Sequence, residues 1–589
     1  MLKLKSCALP NWLPAALLTP LVLLQIGYSY GEPNHTILLP WILRRVDPSL
    51  LARDWFSNTI PHHQSFVVVM AWLARFVPLP AAMLGWHVLN LFFLLWVSHR
   101  LVGRVFDDHR VFYVALFLML RWGTLALGGN SLWANYFLPH FAAVPFCLLA
   151  FDLVLINRPI AAALAAAAAT WIHIQLGALT MLVLGLGLLV EGRSVGWRRI
   201  LSTGAAYLAL VAPTLVAQWR LYVGNPASLS NREFLNLHAI LRQPHHLIPS
   251  SWGAADYVRF FLLLAIAVFA VTWRVPSHRT VVTWCAIILA LCVVGTVFVE
   301  WVPVRLIIKL QLFRLTIFVK FFAVVCVARF VFDVLDKGNT LQKLCALAIL
   351  AIQNFAAVAL AAALILALRR KDRWFLGLGV FAAGAITSLV MVAVTSAGIP
   401  RLRVLAVAPS GVWVGVLTLA ALAALVWRAA RLLPAALLTL VVVVRIATGL
   451  PVLGYDHPLV DDWYRFCRQV RAGTPRDALF ITPPYREGFA TFAERAEIAD
   501  FKATPSVERD LVEWKRRLDD LAGAPVRCSG WPNCGDVLAA GYRRLREHEF
   551  LVLARQYGAQ YVVADHGGQR LAFPEVLRLE DFVLYRVPP

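Results

Sequence analysis

The chain has 589 residues, of which 60% are hydrophobic and only 15% are charged, and this composition excludes an ordinary soluble protein of this size. The net charge of +22 lies in the first 450 residues, which carry 36 basic and 13 acidic side chains, whereas residues 451–589 carry 19 and 20. A basic excess in a nearly all-apolar region is typical of the positive-inside rule and of contact with anionic lipid, so no nucleic-acid partner is expected.

Apolar segments long enough for an α-helix to cross a bilayer recur through the first 450 residues. They predict a polytopic α-helical membrane protein with about 13–14 spans. Residues 64–78 are short and broken by prolines, and we predict an interfacial helix there. The predicted spans are residues 8–28, 82–100, 111–127, 137–155, 159–173, 175–190, 200–222, 257–273, 280–299, 310–332, 343–367, 374–396, 403–426 and 432–450.

The basic residues also predict the topology. Lys3 and Lys5 place the N-terminus in the cytoplasm, because cytoplasmic segments of membrane proteins are enriched in Lys and Arg. The first outer loop, residues 29–63, and the long outer loop, residues 223–256, are therefore expected on the opposite face.

The composition changes at about residue 451, where charges and prolines return. Residues 451–589 are predicted to form a soluble α/β domain large enough to bury its own core. The segments "DALFITPP" and "AQYVVADH" are predicted strands, and "SVERDLVEWKRRLDDL" and "YRRLREHEFLVLARQYG" are predicted helices. Cys528 and Cys534 would form a disulfide outside the cell and stay free thiols inside it. An even count of 14 spans would leave the domain in the cytoplasm.

Polar residues that are unusual in a membrane protein collect on the expected outer face. Asp54, in "ARDWF", stands between an arginine and two large aromatic residues, which predicts a functional role. Glu32 and Asp47 fit solvated side chains equally well, and Asp47 with Pro48 resembles a turn. The outer-face set is Glu32, His35, Asp54, His62, His63, Asn130, Asn135, His140, His173, Gln175, His238, Arg242, His245, His246, Arg305, Lys309 and Arg314.

Several of these residues have both a structural and a functional interpretation. His173, in "WIHIQLG", fits helix capping as well as substrate contact. His245 and His246 would need one or two further ligands to hold zinc, and none stands at a suitable spacing. A charge within an apolar span is costly and faces a cavity or a partner, which applies to Arg314. Lys309, nearer the end of that helix, fits snorkelling too. The arginine fork matches phosphate oxygens.

The quoted motifs carry a resemblance to known families. "EPNH…DPSLLARDWF", "HIQLG", "RQPHHLIPSSW", "LQLFRLT" and "TPPYREGFATFAERAEIADFK" resemble an uncharacterised bacterial multi-pass family whose domain has no known function. The layout, with an acid on the first outer loop, resembles the C-type (GT-C) membrane glycosyltransferases. Those enzymes take a sugar from a polyprenyl-phosphate or polyprenyl-pyrophosphate donor at the outer face, and a first-loop acid serves as base or metal ligand. Many of them have two adjacent acids there, whereas Glu32 and Asp54 are well separated.

This resemblance implies a GT-C-like fold and the transfer of a sugar from a polyprenyl-phosphate-linked donor to a glycan or lipid acceptor of the envelope. The active site would face the periplasm from the bacterial inner membrane, and the C-terminal domain would be periplasmic. A divalent cation as cofactor is left open. The implied catalytic residues are Asp54, as base, and Glu32; the implied phosphate-binding residues are Arg314, Lys309 and Arg305; the implied substrate contacts are His35, His173, His245, His246 and Arg242.

Two further alternatives follow from the residues. In the C-terminal domain, Arg486, Arg495 and Lys502 either bind the acceptor or form a solvated basic rim. A non-catalytic transporter or lipid-binding scaffold could use the same outward cavity for an anionic envelope substrate, with Arg314 as counter-ion. Transporters commonly have repeated halves and binding sites near the bilayer midplane. This sequence has no evident repeat and its polar groups cluster at one face, which favours the enzyme.

Overall fold

The computed structural model describes residues 10–31, 34–224, 229–272, 274–351, 358, 361–365, 453–454, 461–565, 567–568 and 570–588. Several predictions fall outside these residues: Lys3 and Lys5, the candidate acid Glu32, the spans 374–396, 403–426 and 432–450, and the domain boundary at 450–451.

The membrane region is built of α-helices, and most of the predicted spans coincide with one. Four described helices are long and apolar enough to cross a membrane by length and composition: Leu79–Phe106, Trp197–Leu221, Pro276–Trp301 and Arg305–Lys337. The helices are α1 (Leu13–Ile26), α2 (His35–Val46), α3 (Gln64–Leu73), α4 (Leu79–Phe106), α5 (Arg110–Trp122), α6 (Pro139–Leu155), α7 (Pro159–Ile172), α8 (Ile174–Val190), α9 (Gly192–Val195), α10 (Trp197–Gly224), α11 (Asn231–Phe234), α12 (Pro244–Leu247), α13 (Ala254–Ala267), α14 (Pro276–Thr296), α15 (Arg305–Leu310), α16 (Thr316–Lys337) and α17 (Thr340–Ala351).

The segment Arg305–Lys337 lies at the centre of the helical region. Its most apolar window is 89% buried, against 17% for the window in α10 and 22% for that in Pro276–Trp301. The central segment therefore packs against protein, and the other two present most of their surface outward. The alanine-rich helix α7 packs closely against α6, α8 and α10, as its small side chains allow.

The first outer loop and the segment that follows it each contain a helix. Residues 64–78, predicted as an interfacial helix, contain α3, which ends at Leu73. Helix α2, from His35 to Val46, is not predicted by the sequence analysis. Its apolar side faces the core, where Trp41 and Ile42 are fully buried, and Pro40 inside it hides the pattern, because proline is a helix breaker.

The C-terminal part is an α/β domain, which confirms the predicted fold class of a polytopic α-helical protein with such a domain. Its strands are β3 (Leu479–Ile481), β4 (Ala496–Glu497), β5 (Tyr561–Asp565), β6 (Glu575–Leu579) and β7 (Phe582–Arg586), and its helices are α18 (Asp462–Gly473), α19 (Phe489–Phe492), α20 (Glu508–Ala522), α21 (Asn533–Tyr542) and α22 (Glu547–Tyr557). A short parallel pair, β1 (Tyr28–Ser29) with β2 (Leu453–Gly454), joins the end of α1 to this part.

The sheet has the order β4-β3-β5-β7-β6. Strand β3 runs parallel to β4 and β5, and β7 runs antiparallel to β5 and β6. The two predicted strands are thus the neighbours β3 and β5, in register at Phe480↔Tyr561. One face packs on α18 through Phe466, and the other on α20 through Trp514.

The C-terminal domain lies on the same face of the molecule as the first and long outer loops. Trp514 and Leu538 share a hydrophobic cluster with Phe234 and Leu247 of the long loop. The backbone oxygen of Thr504 accepts a hydrogen bond from His62 in the first loop. The C-terminal domain therefore contacts both loops, and a recess at this face would be bordered by all three.

Candidate functional site

Arg314 lies where the central helical segment is interrupted. Helix α15 ends at Leu310, Gln311 has φ of +51°, and residues Leu312–Leu315 form a 3₁₀ turn before α16. A side-chain-bearing residue at positive φ is strained, and such positions concentrate at functional sites. The turn lets Gln311 Oε1 accept a hydrogen bond from Arg314 Nε at 2.5 Å.

The Arg314 guanidinium is held by neutral groups. Besides Gln311, its second partner is Asn130 Oδ1, which accepts from a terminal nitrogen at 3.2 Å. No carboxylate among the described residues pairs with Arg314. Its positive charge is therefore fixed in direction but not neutralised, which is the arrangement that attracts an anionic ligand.

Histidines from four parts of the chain surround Arg314. The ring of His173 lies 4.6 Å from that of His63 and 5.7 Å from that of His140. The rings of His245 and His246 lie 4.1 Å apart. The charge of Arg314 acts on His62, His63, His140, His173, His238, His245 and His246. We call Arg314 and these seven histidines the Arg314 cluster.

Backbone contacts fix several of the rings. His246 Nδ1 donates to the carbonyl of Gly128 at 2.6 Å, and a Cβ on Gly129, at φ +68°, would lie 3.2 Å from His246 Nδ1, closer than an ordinary contact. His173 Nδ1 accepts from the Leu176 N–H at 3.2 Å, so His173 caps α8. From the sequence, His173 could either cap a helix or contact substrate. Because Nδ1 caps the helix, only Nε2 is left to face the cluster.

We infer that the Arg314 cluster lines a recess. Arg314, His62, His63, His238 and His246 are each surrounded by protein, yet each keeps part of its surface accessible, and His245 is exposed. Side chains that are deep in a protein but still accessible line a concave surface. Ligand sites are typically concave, with a few converging polar groups.

The loop histidines of the cluster are neutral near pH 7. Burial, together with the charges of Arg242, Lys502 and Arg314, lowers the pKa of His245 to about 4. Burial and the neighbouring charges of His62, Lys309, Arg242 and Arg314 lower the pKa of His238 to about 3. The recess therefore presents fixed cations beside neutral imidazoles. His62 and His246 already donate their N–H to the carbonyls of Thr504 and Gly128, whereas the exposed His245 can offer its N–H to a ligand.

Arg305 and Lys309, predicted to bind phosphate, both pair with Glu508 at the start of α20. Arg305 lies 2.8 Å from one carboxylate oxygen and Lys309 is bonded to the other. Both cations also lie over the ring of Phe234. The structure thus places them in the contact between the membrane region and the C-terminal domain, and phosphate binding by either remains a prediction.

Arg242, predicted as a substrate contact, bridges the recess and the C-terminal domain. Its Nε donates to Thr504 Oγ1 at 2.8 Å, and a terminal nitrogen donates to the Lys502 carbonyl at 3.1 Å. Its charge also lowers the pKa of His245 and His246. The structure therefore brings Arg242 together with the Arg314 cluster.

His35 is a packing residue in this structure. It is fully buried, its Nε2 donates to the Phe137 carbonyl at 2.8 Å, and its Nδ1 accepts from the Gly31 N–H at 3.1 Å. Burial lowers its pKa to about 4. Because both nitrogens are used, the prediction that His35 contacts substrate does not fit its observed contacts.

Asp54, the predicted base, is enclosed between the first loop and the C-terminal domain. Its side chain is 1% exposed, Oδ1 accepts from the N–H and the hydroxyl of Ser57, and Oδ2 accepts from the Glu497 N–H at 3.1 Å. Burial raises its pKa. These contacts join β4 to the first loop, and a role as base remains a prediction.

The three basic residues of the C-terminal domain occupy different environments. Arg495 is buried and donates to the carbonyls of Arg471 and Thr474, so it belongs neither to an acceptor site nor to a solvated rim. The guanidinium of Arg486 lies over the ring of Phe582. Lys502 alone is near the recess, because its charge acts on His245.

Sequence reasoning missed three polar residues near the recess: Gln311, Glu487 and Asp500. The sequence does not indicate a role for Gln311, because a glutamine does not predict the positive φ that it adopts. Glu487 and Asp500 lie in the acid-rich stretch that follows "ITPP", at the end of a parallel strand, where functional groups commonly gather in α/β sheets. Among the described residues, no group of three or more His, Cys, Asp or Glu is arranged to hold a metal ion.

Comparisons with known proteins give the following similarities. Residues 461–521 match the family model described as a domain of unknown function (DUF6798), as the resemblance in the sequence led us to expect. No curated protein matches the chain by sequence.

Among solved structures, the chain is similar to ArnT from Cupriavidus metallidurans in the apo state, at 14% identity and a TM-score of 0.48, over 98% of this chain and 97% of that one. It is also similar to the Archaeoglobus fulgidus oligosaccharyltransferase in complex with Zn and sulfate, at 14% identity and a TM-score of 0.41, over 94% of this chain and 68% of that one. With TM-scores below 0.5, these likenesses carry no inference about the activity of this chain.

Proposed function

We propose that the protein is a GT-C-type membrane glycosyltransferase, which moves a sugar from a polyprenyl-phosphate-linked donor to a glycan or lipid acceptor of the envelope. The observation that carries the proposal is the Arg314 cluster. An arginine without a carboxylate partner among the described residues stands at an interruption of the central helical segment, in a recess that the C-terminal domain borders.

The chemistry of the recess suits a phosphate that is anchored in lipid. An arginine fork binds two phosphate oxygens at once, and a neutral imidazole such as that of His245 adds an N–H donor without further repulsion between cations. In glycosyl transfer the sugar leaves its phosphate, and fixed donors stabilise the negative charge that develops on the departing oxygen. Arg314 would supply that stabilisation, with His245 as a further donor.

We propose a location from the disulfide and from the position of the domain. The C-terminal domain lies on the face of the two outer loops and contains a disulfide between Cys528 and Cys534. Disulfides persist in oxidising compartments such as the bacterial periplasm. We therefore place the recess on the periplasmic face of the inner membrane, where a lipid-linked sugar and an envelope acceptor can meet.

The test is mass spectrometry of lipids that co-purify with the detergent-solubilised protein. Polyprenyl-phosphate species are expected on the wild type and are expected to fall about tenfold or more in Arg314→Ala, because a charge-assisted hydrogen bond contributes about 1.5–3 kcal/mol. Arg314→Lys keeps the charge but not the fork, and an intermediate loss is expected.

The matched control is Arg232→Ala, at an exposed arginine of the long outer loop, which should retain the lipid. Bulk phospholipids alone, in equal amounts on the wild type and Arg314→Ala, would remove the main support for the enzyme. The transporter or scaffold would then be the better explanation, particularly if an anionic envelope substrate other than a polyprenyl phosphate were recovered.

A further inference from the structure

Glu487 is a carboxylate whose backbone is fixed while its side chain is only loosely held. The indole N–H of Trp463 donates to the Glu487 carbonyl at 3.0 Å, and the N–H of the next residue, Gly488, donates to Asp500 Oδ2 at 3.1 Å. A functional side chain on a rigid support keeps its position without strong bonds of its own.

Gly488 also fixes this segment against the first outer loop. Its φ is +87°, and a Cβ there would lie 2.8 Å from Thr36 Cγ2 and 2.8 Å from the Phe492 ring. The Thr491 hydroxyl donates to the Thr36 carbonyl at 3.3 Å. The segment that carries Glu487 is therefore seated on α2 and cannot shift without disturbing this contact.

The side chain of Glu487 keeps an acceptor available. Its Oε2 is enclosed by protein but accepts no hydrogen bond from the described residues. The nearest cation, Lys502 Nζ, is 3.8 Å away, which is beyond hydrogen-bond distance. Lys502 thus forms a loose ion pair with Oε2, and an enclosed carboxylate oxygen that accepts no hydrogen bond from the described residues calls for an explanation.

The surroundings connect Glu487 with the Arg314 cluster. The carboxylates of Glu487 and Asp500 act on Arg242, and Arg242 and Lys502 act in turn on His245. Glu487 therefore faces the same group of cations that borders the recess. Asp54 differs from it, because its two oxygens already accept three hydrogen bonds and its side chain is 1% exposed.

We propose that Glu487, and not Asp54, is the catalytic base of the glycosyl transfer, an inference that rests on the proposed function. The acceptor hydroxyl gives its proton to the Glu487 carboxylate, whose side chain is 43% exposed, and the hydroxyl oxygen forms the new bond to the anomeric carbon. The bond from that carbon to the phosphate oxygen breaks, and the electron pair leaves with the lipid phosphate beside Arg314. Positioned general bases of this kind contribute about 10²–10⁴-fold to the rate.

Asp500 and Lys502 are positioning residues in this scheme. Asp500 accepts from the Gly488 and Lys502 N–H groups, which fixes both ends of the acidic segment. The Lys502 ammonium, 3.8 Å from Glu487 Oε2, helps to hold the carboxylate in place.

The experiment compares the lipids bound to wild type and to Glu487→Gln. The probe is the co-purifying polyprenyl phosphate, measured by mass spectrometry as the ratio of sugar-bearing to sugar-free species. Loss of the base should leave total polyprenyl phosphate unchanged and raise this ratio by roughly tenfold or more, because bound donor no longer turns over. Glu487→Asp should lie between the two, and Glu580→Gln, at an exposed site, should match the wild type.

The outcomes separate the two proposals. If the wild type carries no polyprenyl phosphate, the proposed function fails and the role of Glu487 fails with it. If both lipid forms are present and Glu487→Gln leaves their ratio unchanged while Asp54→Asn raises it, only the assignment to Glu487 is wrong. Loss of all lipid from Glu487→Gln would overturn the assignment too, because it would make Glu487 a binding residue.

Discussion

Asp54 joins the first outer loop to the edge strand of the C-terminal sheet. Its carboxylate accepts from Ser57 within its own loop and from the backbone of Glu497, which is 443 positions further along the chain. A carboxylate with these donors has a structural function whatever else it does. An acidic residue directly after the first span is what the sequence of a glycosyltransferase would show for a catalytic acid. Only the contacts of Asp54 reveal its structural function.

Asp54→Asn should therefore lower stability. The amide replaces one of the two accepting oxygens by an NH₂ group, which faces the donors of Ser57 or the Glu497 N–H, and an unsatisfied buried donor costs about 1–3 kcal/mol. Thermal unfolding in detergent should show a lower midpoint for this variant and for Ser57→Ala, whereas Asp581→Asn, at an exposed site, should leave it unchanged. An unaltered midpoint for Asp54→Asn would contradict the structural function.

At the scale of elements, the disulfide loop orders the long outer loop. Cys528 and Cys534 close a short loop whose Gly530 has φ of +60° and donates its N–H to the Leu241 carbonyl at 3.0 Å. A Cβ on Gly530 would lie 2.5 Å from Pro244 Cγ. Because Pro244 directly precedes His245, this contact positions His245 and His246 of the Arg314 cluster.

Gly530→Ala should disturb the recess as well as stability. The new methyl group overlaps Pro244, and a side chain in the left-handed region costs about 1–2 kcal/mol. Amide hydrogen exchange should increase in residues 234–247, and the bound lipid should decrease.

The control for this prediction is Gly473→Ala, where a Cβ meets nothing within 4 Å. Unchanged exchange in residues 234–247 of Gly530→Ala would mean that the disulfide loop does not order the long loop.

At the scale of the whole molecule, the C-terminal domain is held to the membrane region by ionic groups. Glu508 receives both Arg305 and Lys309 and is itself only 8% exposed. Removing this carboxylate leaves two partly buried cations without their acceptor, and such a change is unfavourable because the charges stay desolvated.

Glu508→Gln should weaken the docking of the domain by about 1.5–3 kcal/mol, the range for hydrogen bonds to charged groups. The measurement is the thermal midpoint together with hydrogen exchange at α15 and α20. Glu575→Gln, which breaks an exposed pair with Arg578, should cost less than about 1 kcal/mol. Equal losses in the two variants would show that the Glu508 pairs do not hold the domain.

The acidic groups at the domain boundary predict a pH dependence. Burial and the charge of Glu487 raise the pKa of Asp500 to about 7, and burial with nearby carboxylates raises that of Glu497. An unfolded Asp has a pKa of about 4, so between about pH 4 and 7 the folded state binds a proton that the unfolded state has released. The stability contribution of Asp500 therefore falls as pH rises through this window.

Asp500→Asn removes this titration. The thermal unfolding midpoint of the variant should therefore rise relative to that of the wild type as pH increases from 5 to 8. Comparing variant with wild type at each pH cancels the opposite effect of the buried histidines, whose lowered pKa values destabilise the folded state below pH 6.5. A constant difference between the two midpoints would show that Asp500 does not titrate as described.

Local patterns in the sequence determined the architecture. The length of each apolar run predicts a membrane helix, and the buried runs "LFI" and "YVVAD" become the neighbouring strands β3 and β5, because hydrophobic period and length act within one segment. The same reasoning identified Arg314, since the cost of a charge in an apolar helix depends on its immediate neighbours. Helix α2 was missed because Pro40 interrupts its local pattern.

Only the tertiary structure decided which polar residues meet. His63, His173 and His246 come from separate segments and converge on Arg314, whereas Arg305 and Lys309 turn to Glu508, about 200 positions away. Asp54 is enclosed by a strand at the other end of the chain, while Glu487, which lies in a quoted motif but was assigned no role there, keeps an acceptor near the recess. The sequence shows which charged residues lie in apolar segments and so need a partner, because burial of an unpaired charge is costly. Which partner each one finds depends on how the domain docks on the loops, and no local pattern encodes that.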